Sequence, residues 1–166
     1  MTAEQYIQHL NLQPHPEGGF YKQNYTSSEF IPSTALPQRF RGKRPFSTAI
    51  YYLLQRGDFS TFHKIKSDEC WHFYGGSTLH IHMIEKKGNY IFIKLGNRIT
   101  DNELIQCIVP SGTWFAVEPA PNTDFALTGC TVAPGFDFED FQIGDKATLL
   151  QLFPMHSIII ERLCRV

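Results

Sequence analysis

His63 and Glu69 are the two side chains whose types and spacing point most directly to chemistry. In the stretch GDFSTFHKIKSDECWHFYGG, residues 57–76, Phe59, Thr61, His63 and Ile65 fall on one face at period two. Lys66-Ser67-Asp68 supplies turn chemistry, and Glu69, Trp71 and Phe73 begin a second face of the same kind. This pattern predicts a hairpin across which His63 meets Glu69. An imidazole oriented by a carboxylate is a general base, and the same pair facing an aromatic interior is the polar centre of an apolar ligand pocket. A purely structural alternative is a buried histidine held by Glu69, because buried polar groups find partners.

Aromatic residues around this pair extend the reading. Trp71, Phe73, Phe62 and Phe115 offer stacking surface for a flat or carbohydrate-like ligand, and Tyr21, Tyr51, Tyr52 and Tyr74 are the available phenolic acids. The segment His15-Pro16-Glu17-Gly18-Gly19-Phe20-Tyr21 is a turn whose two glycines allow close backbone approach. At a pocket mouth it adds Glu17 and Tyr21 to the site. His72 follows Glu69 by three residues, so period two turns it to the opposite face. His80 and His82 share a strand face opposite Leu79, Ile81 and Met83, which read as interior. The histidine pair therefore faces solvent or a subunit partner, and the sequence forces no carboxylate beside it for a metal.

The elements that position these groups are short strands. Phe20 to Tyr25, Phe46 to Leu54, Ser60 to Ile65, Glu69 to Tyr74, Thr78 to Ile84, Tyr90 to Leu95, Gln106 to Val109, Thr113 to Val117 and Phe125 to Val132 are rich in β-branched and aromatic residues. Gly, Pro and Asn separate them, which argues for an antiparallel sandwich or barrel. Thr2 opens a capping signature for a short N-terminal helix, and Asp145 to Leu152 and His156 to Arg165 carry helical spacing around Pro154. These C-terminal helices are expected to cover an outer face.

Residues 26 to 45 form a long irregular connection that includes the cations Arg39, Arg41, Lys43 and Arg44. They are either a solvated loop or a cradle for a phosphate or for a partner's carboxylates. In residues 134–141, Phe136, Phe138 and Phe141 read as core and Asp137, Glu139 and Asp140 as outward. Mutual neutralisation between the acidic and basic segments, or a carboxylate reaching His63, is open.

The chain has 166 residues, four cysteines and a formal net charge of -1. That length reads as a single domain, 1–166, able to bury about 70% of its unfolded surface without staples. The cysteines form no CxxC pair, so they are expected to be reduced in a cytoplasmic protein. The charge supplies no drive toward nucleic acid or acidic membranes, and no apolar run is long enough to span a bilayer.

Gly57, His63, Glu69 and Gly75 resemble the first motif of the cupins, and Pro110-Ser111-Gly112 resembles the turn of their second. The segments HPEGGFY at 15–21, SDE-x-WHFY at 67–74 and APGFDFEDF at 133–141 are similar to a cupin subfamily carried as a domain of unknown function. The resemblance implies an all-β double-stranded β-helix, a jelly-roll barrel, with a short N-terminal helix and C-terminal helices. It also implies that two of the usual metal ligands fall on Ile65 and Phe115, so no metal or other cofactor is expected. One function that follows is a metal-independent isomerase or epimerase on a sugar-like or carbonyl substrate, with His63 as base, Glu69 orienting it and a diphosphate held by the Arg39 to Arg44 loop. The alternative is ligand binding without turnover, through Glu17, Tyr21, Trp71, Phe73 and Phe115. A metal-dependent cupin enzyme is a more distant third. A homodimer is expected in either case, joined at sheet edges through the Phe20 to Tyr25 strand.

Overall fold

The computed structural model describes residues 1–165. Helix α1 (Ala3–Leu10) begins at a complete capping box: the Thr2 hydroxyl accepts from the Gln5 N–H, and the Gln5 side chain accepts from the Thr2 N–H. The strands follow as β1 (Gln13–Pro14), β2 (Phe20–Thr26), β3 (Phe30–Ile31), β4 (Arg44–Pro45), β5 (Thr48–Gln55), β6 (Ser60–Lys64) and β7 (Asp68–Gly76). Next come β8 (Leu79–Ile84), β9 (Tyr90–Leu95), β10 (Gln106–Val109), β11 (Trp114–Pro119), β12 (Phe125–Ala133) and β13 (Gln142–Ile143). Helices α2 (Lys146–Leu152) and α3 (Ser157–Leu163) close the described chain.

Two antiparallel sheets face one another, ordered β1-β2-β5-β12-β7-β10 and β13-β6-β11-β8-β9. Their inner faces bury Tyr52, Leu54, Trp71, Leu79, Ile81, Met83, Phe115 and Val117 among others. The alternation of β5, β7 and β8 sends the intervening residues outward, where two helical covers meet them. Helix α1 packs over Leu53 and Leu127, while α2 and α3 cover Phe62, Ile84, Trp114 and Ala116. This is an all-β jelly roll with an N-terminal helix and C-terminal helices. No helix among the described residues is long and apolar enough to cross a membrane.

Three expectations change. First, β6 and β7 are not a hairpin. His63 pairs with Phe115 and Ile143 in the five-stranded sheet, while Glu69 pairs with Val109 and Val132 in the six-stranded one. The turn between them is a corner from one sheet to the other, so the two side chains face each other across the interior.

Second, β6 does not keep period two. Phe115 pairs with His63 but Val117 pairs with Ser60, so β6 carries an extra residue as a bulge. Ser60 and His63 point inward together, whereas Thr61 bonds the Leu163 carbonyl and Phe62 lies beneath α2 and α3. Phe62 is therefore no ligand surface.

Third, Asp140 is not outward and Arg44 is not solvated. Both are nearly covered, with Arg44 Nε and Nη2 donating to the two Asp140 oxygens at 2.7 and 2.8 Å. Lys66 adds a contact to Asp140 at 3.1 Å. Strand β2, expected to reach a neighbouring subunit, pairs within the chain with β5, and β1 covers only its Phe20–Tyr21 end.

Candidate functional site

A cavity of about 310 Å³ opens at one end of the barrel between the sheets, within the usual size of small-molecule sites. The turn from His15 to Gly19 forms one of its rims. It closes through Gly18 N–H to His15 O and His15 N–H to Gly19 O, both 3.0 Å, and is tied to β6 by Thr61 N–H to Glu17 O at 2.9 Å. The motif demands glycine for a steric reason. Gly18 has φ +113°, and a Cβ there would lie 2.1 Å from the Phe59 carbonyl oxygen. The Tyr52 hydroxyl donates to Gly18 O at 2.7 Å, and the Asp58 carboxylate accepts from Gly19 N–H at 2.8 Å. The turn is thus pressed onto the barrel, and the Glu17 side chain enters the cavity.

There Glu17 Oε2 lies 3.1 Å from His63 Nε2. His63 Nδ1 contacts the Thr61 carbonyl at 2.8 Å, and since a carbonyl only accepts, Nδ1 carries a proton. Nε2 therefore shares one further proton with Glu17. Burial lifts the Glu17 carboxyl and lowers the His63 imidazolium, so the neutral pair, with Glu17 donating to Nε2, is favoured. His15 is held neutral by burial as well, and its Nδ1 accepts from the Glu17 N–H at 3.3 Å. Phe115 and Phe141 flank the His63 ring at centroid distances of 4.0 and 5.4 Å.

Glu69 lines the same cavity from the opposite sheet. Burial pushes its carboxyl up to about 7, partly offset by the nearby His63. The cavity thus holds two carboxyls and two imidazoles displaced toward one another in proton affinity, an arrangement suited to moving protons near neutral pH. Tyr21 supplies a phenol at the wall, and Phe136, Phe138 and Phe141 with Ile50, Ile65 and Val132 make the rest apolar.

The raised Glu69 carboxyl makes stability fall with pH. Its folded value exceeds the reference of 4.5, so its protonated form is stabilising below that value and the contribution is lost as pH rises toward about 7. The span corresponds to at most about 3 kcal/mol. Urea midpoints at pH 5 and pH 8 are expected to show Glu69→Gln gaining on the parent protein at the higher pH. A difference that stays constant between the two would contradict the raised value.

Of the residues singled out from sequence, His63, Glu69, Glu17 and Tyr21 converge on the cavity. The partner of His63 is Glu17, not Glu69, because the glycine turn delivers a closer carboxylate than the facing sheet does. Trp71 and Phe115 are core residues at 1% and 0% exposure, and Phe73 packs against that core, so none of the three is among the cavity walls. Phe115 meets the site only through its contact with His63. Sequence reasoning missed His15, Ser60, Phe138 and Phe141 as site residues. The i, i+2 placement of His15 and Glu17 ahead of two glycines was the available signal.

The residues present do not fit a metal in the barrel. Ile65 and Phe115 offer no donor at the two positions where the metal-binding cupins that this chain resembles carry histidines, and the group of three ligand atoms found close together among the described residues lies outside the barrel. Outside the barrel, His82 is 4% exposed and not solvent-facing, and Glu118 stands beside it at 3.0 Å.

Residues 4–144 match the profile of a family described as "Cupin superfamily (DUF985)". A solved "Hypothetical protein from Leishmania major" is 32% identical and superposes with a TM-score of 0.90, covering 99% of both chains. Protein SO0799 from Shewanella oneidensis is 36% identical with a TM-score of 0.89, covering 99% of this chain and 98% of its own. The uncharacterized protein YML079W of Saccharomyces cerevisiae is 30% identical over 158 residues, 84% of this chain and 73% of the yeast protein.

Proposed function

The chain belongs to the DUF985 family of the cupin superfamily, and from that premise we propose that it binds a small carbonyl or carbohydrate-like molecule in the barrel cavity and moves a proton on it without a metal. The observation that carries this reading is the 3.1 Å contact between His63 Nε2 and the Glu17 carboxyl, buried opposite a carboxyl poised near neutrality. Deprotonation next to a carbonyl needs a base on one side of the substrate and an acid on the other. Entry of a ligand between the pair frees Nε2 as a base, with Nδ1 anchored on the Thr61 carbonyl fixing the ring. Glu69, half protonated near neutral pH, and the Tyr21 phenol are the groups available as acid. Phe136, Phe138 and Phe141 make one wall of the cavity apolar.

A panel of hydroxyaldehydes and hydroxyketones in deuterated water, followed by NMR, tests the proposal. Exchange of the proton next to the carbonyl by the parent protein, lost in His63→Ala, is the expected result. Binding in the cavity without exchange would favour the second reading, a ligand-binding cupin without turnover. That reading draws on Glu17 already occupying Nε2. No binding at all would overturn both.

The homodimer is part of the proposal. Beyond β1, the edge of β2 from Lys22 to Thr26 has no strand beside it among the described residues, and Tyr25 and Tyr74 are 52% and 55% exposed. Open strand edges and uncovered aromatic faces favour self-pairing. Sedimentation at micromolar concentration is expected to give twice the monomer mass, and a monomer unchanged on concentrating would contradict it. The four free cysteines support a cytoplasmic setting.

A further inference from the structure

We infer that His80, His82 and Glu118, on the outer face of the five-stranded sheet, bind one divalent transition ion of the zinc class. The site is separate from the barrel cavity and uses none of its residues. Among the described residues these three side chains present ligand atoms that all lie within 4.8 Å of one another. The geometry follows from the sheet: His80 and His82 share one face of β8, and Glu118 on β11 is the direct partner of His80.

Two features go beyond proximity. His82 is buried at 4% exposure, and its two nitrogens have separate partners: Nε2 lies 3.0 Å from Glu118 Oε1 and Nδ1 lies 2.7 Å from the Tyr90 hydroxyl. Nε2–H donates to the Glu118 carboxylate and Nδ1 accepts from the Tyr90 hydroxyl. An ion taking Nε2 would displace that proton, and Nδ1–H would then donate to the Tyr90 oxygen. An outer hydrogen bond of this kind is what orients metal-ligating histidines. His80, meanwhile, has no hydrogen-bond partner among the described residues, although its ring is fixed against Phe92 at 4.9 Å. Two imidazoles and a carboxylate, with a fourth position open to water, suit zinc and its neighbours in the first transition row.

Arg162 on α3 competes for this site. Its Nη1 donates to both Glu118 oxygens, at 2.6 and 2.5 Å, while its side chain is 51% exposed. The guanidinium can swing into solvent when an ion arrives, leaving Glu118 to the metal. Metal occupancy would then loosen one tie between α3 and the sheet.

Chelator-treated protein titrated with zinc against a chromophoric competitor is expected to bind one ion per chain. Loss of an outer hydrogen bond alone weakens metal sites by roughly 10–100-fold, so Tyr90→Phe should fall in that range and His80→Ala and Glu118→Gln beyond it. Arg162→Ala is expected to tighten binding, an effect that a merely structural role for the cluster does not produce. His63→Ala should leave the zinc affinity as it is, which separates this site from the barrel. His80 is half-buried, so His80→Ala does not depend on tolerance of a core change. No stoichiometric zinc on the parent protein, or binding that survives both His80→Ala and Glu118→Gln, would overturn the inference.

Discussion

Replacing His63 by alanine is expected to weaken ligand binding in the barrel by about 5–150-fold and to lower any turnover by about 10²–10⁴-fold, while the fold survives. The first figure follows from the loss of a buried hydrogen bond, about 1–3 kcal/mol. The second is the usual contribution of a positioned general base. Glu17→Gln is the milder change. The amide still fills the rim beside Nε2, where Glu17 lies at 3.1 Å. Because the ligand displaces Glu17 while His63 remains the base, binding and proton transfer should each fall less than in His63→Ala. His80→Ala, on the far face of β8, should change neither, and equal losses from His63→Ala and His80→Ala would mean that the cavity is not the site.

The second large effect concerns stability. Arg44→Ala is expected to cost about 3–5 kcal/mol, because it leaves the Asp140 carboxylate buried with only Lys66 near it. This pair clamps the segment carrying Phe138 and Phe141 to β4, so the variant should also lose the aromatic wall and with it ligand affinity. The double variant Arg44→Met, Asp140→Leu is expected to recover most of the stability, since an apolar pair removes the unpaired charge. Denaturant melts of the three proteins decide it. A single variant within about 1 kcal/mol of the parent would mean that the bridge is not sealed from water.

The strands were legible because β-branched and aromatic residues alternate between Gly, Pro and Asn breaks, and the helix starts were legible from Thr2 and Asp145. Tyr90 to Leu95 and Gln106 to Val109 match the strands residue for residue. What failed was anything that depends on how one element meets another. The bulge in β6 leaves no mark in the sequence, yet it puts Ser60 beside His63 and sends Phe62 outward. The sheet assignment of β6 and β7 decides whether the 66–68 turn makes a hairpin or a corner, and local turn chemistry is the same for both.

The site was half legible for the same reason. His63 and Glu69 stood out by strand parity, and Glu17 by its glycine turn. That Glu17 would displace Glu69 as the partner of His63 depends on the hydrogen bond from Thr61 N–H to Glu17 O, a contact between segments 44 residues apart in sequence. Arg44 and Asp140, 96 residues apart, read as loop charges because nothing local shows that each closes the other off from water.

A high-resolution crystal structure of the protein soaked with a mixture of small hydroxyketones tests the central claim most directly. The account predicts organic density in the barrel cavity, with a ligand oxygen or acidic carbon at His63 Nε2, Glu17 displaced from it and the ring of Phe138 or Phe141 against the ligand. A metal coordinated by His63, or a cavity that holds only water while ligand collects elsewhere on the surface, would contradict it.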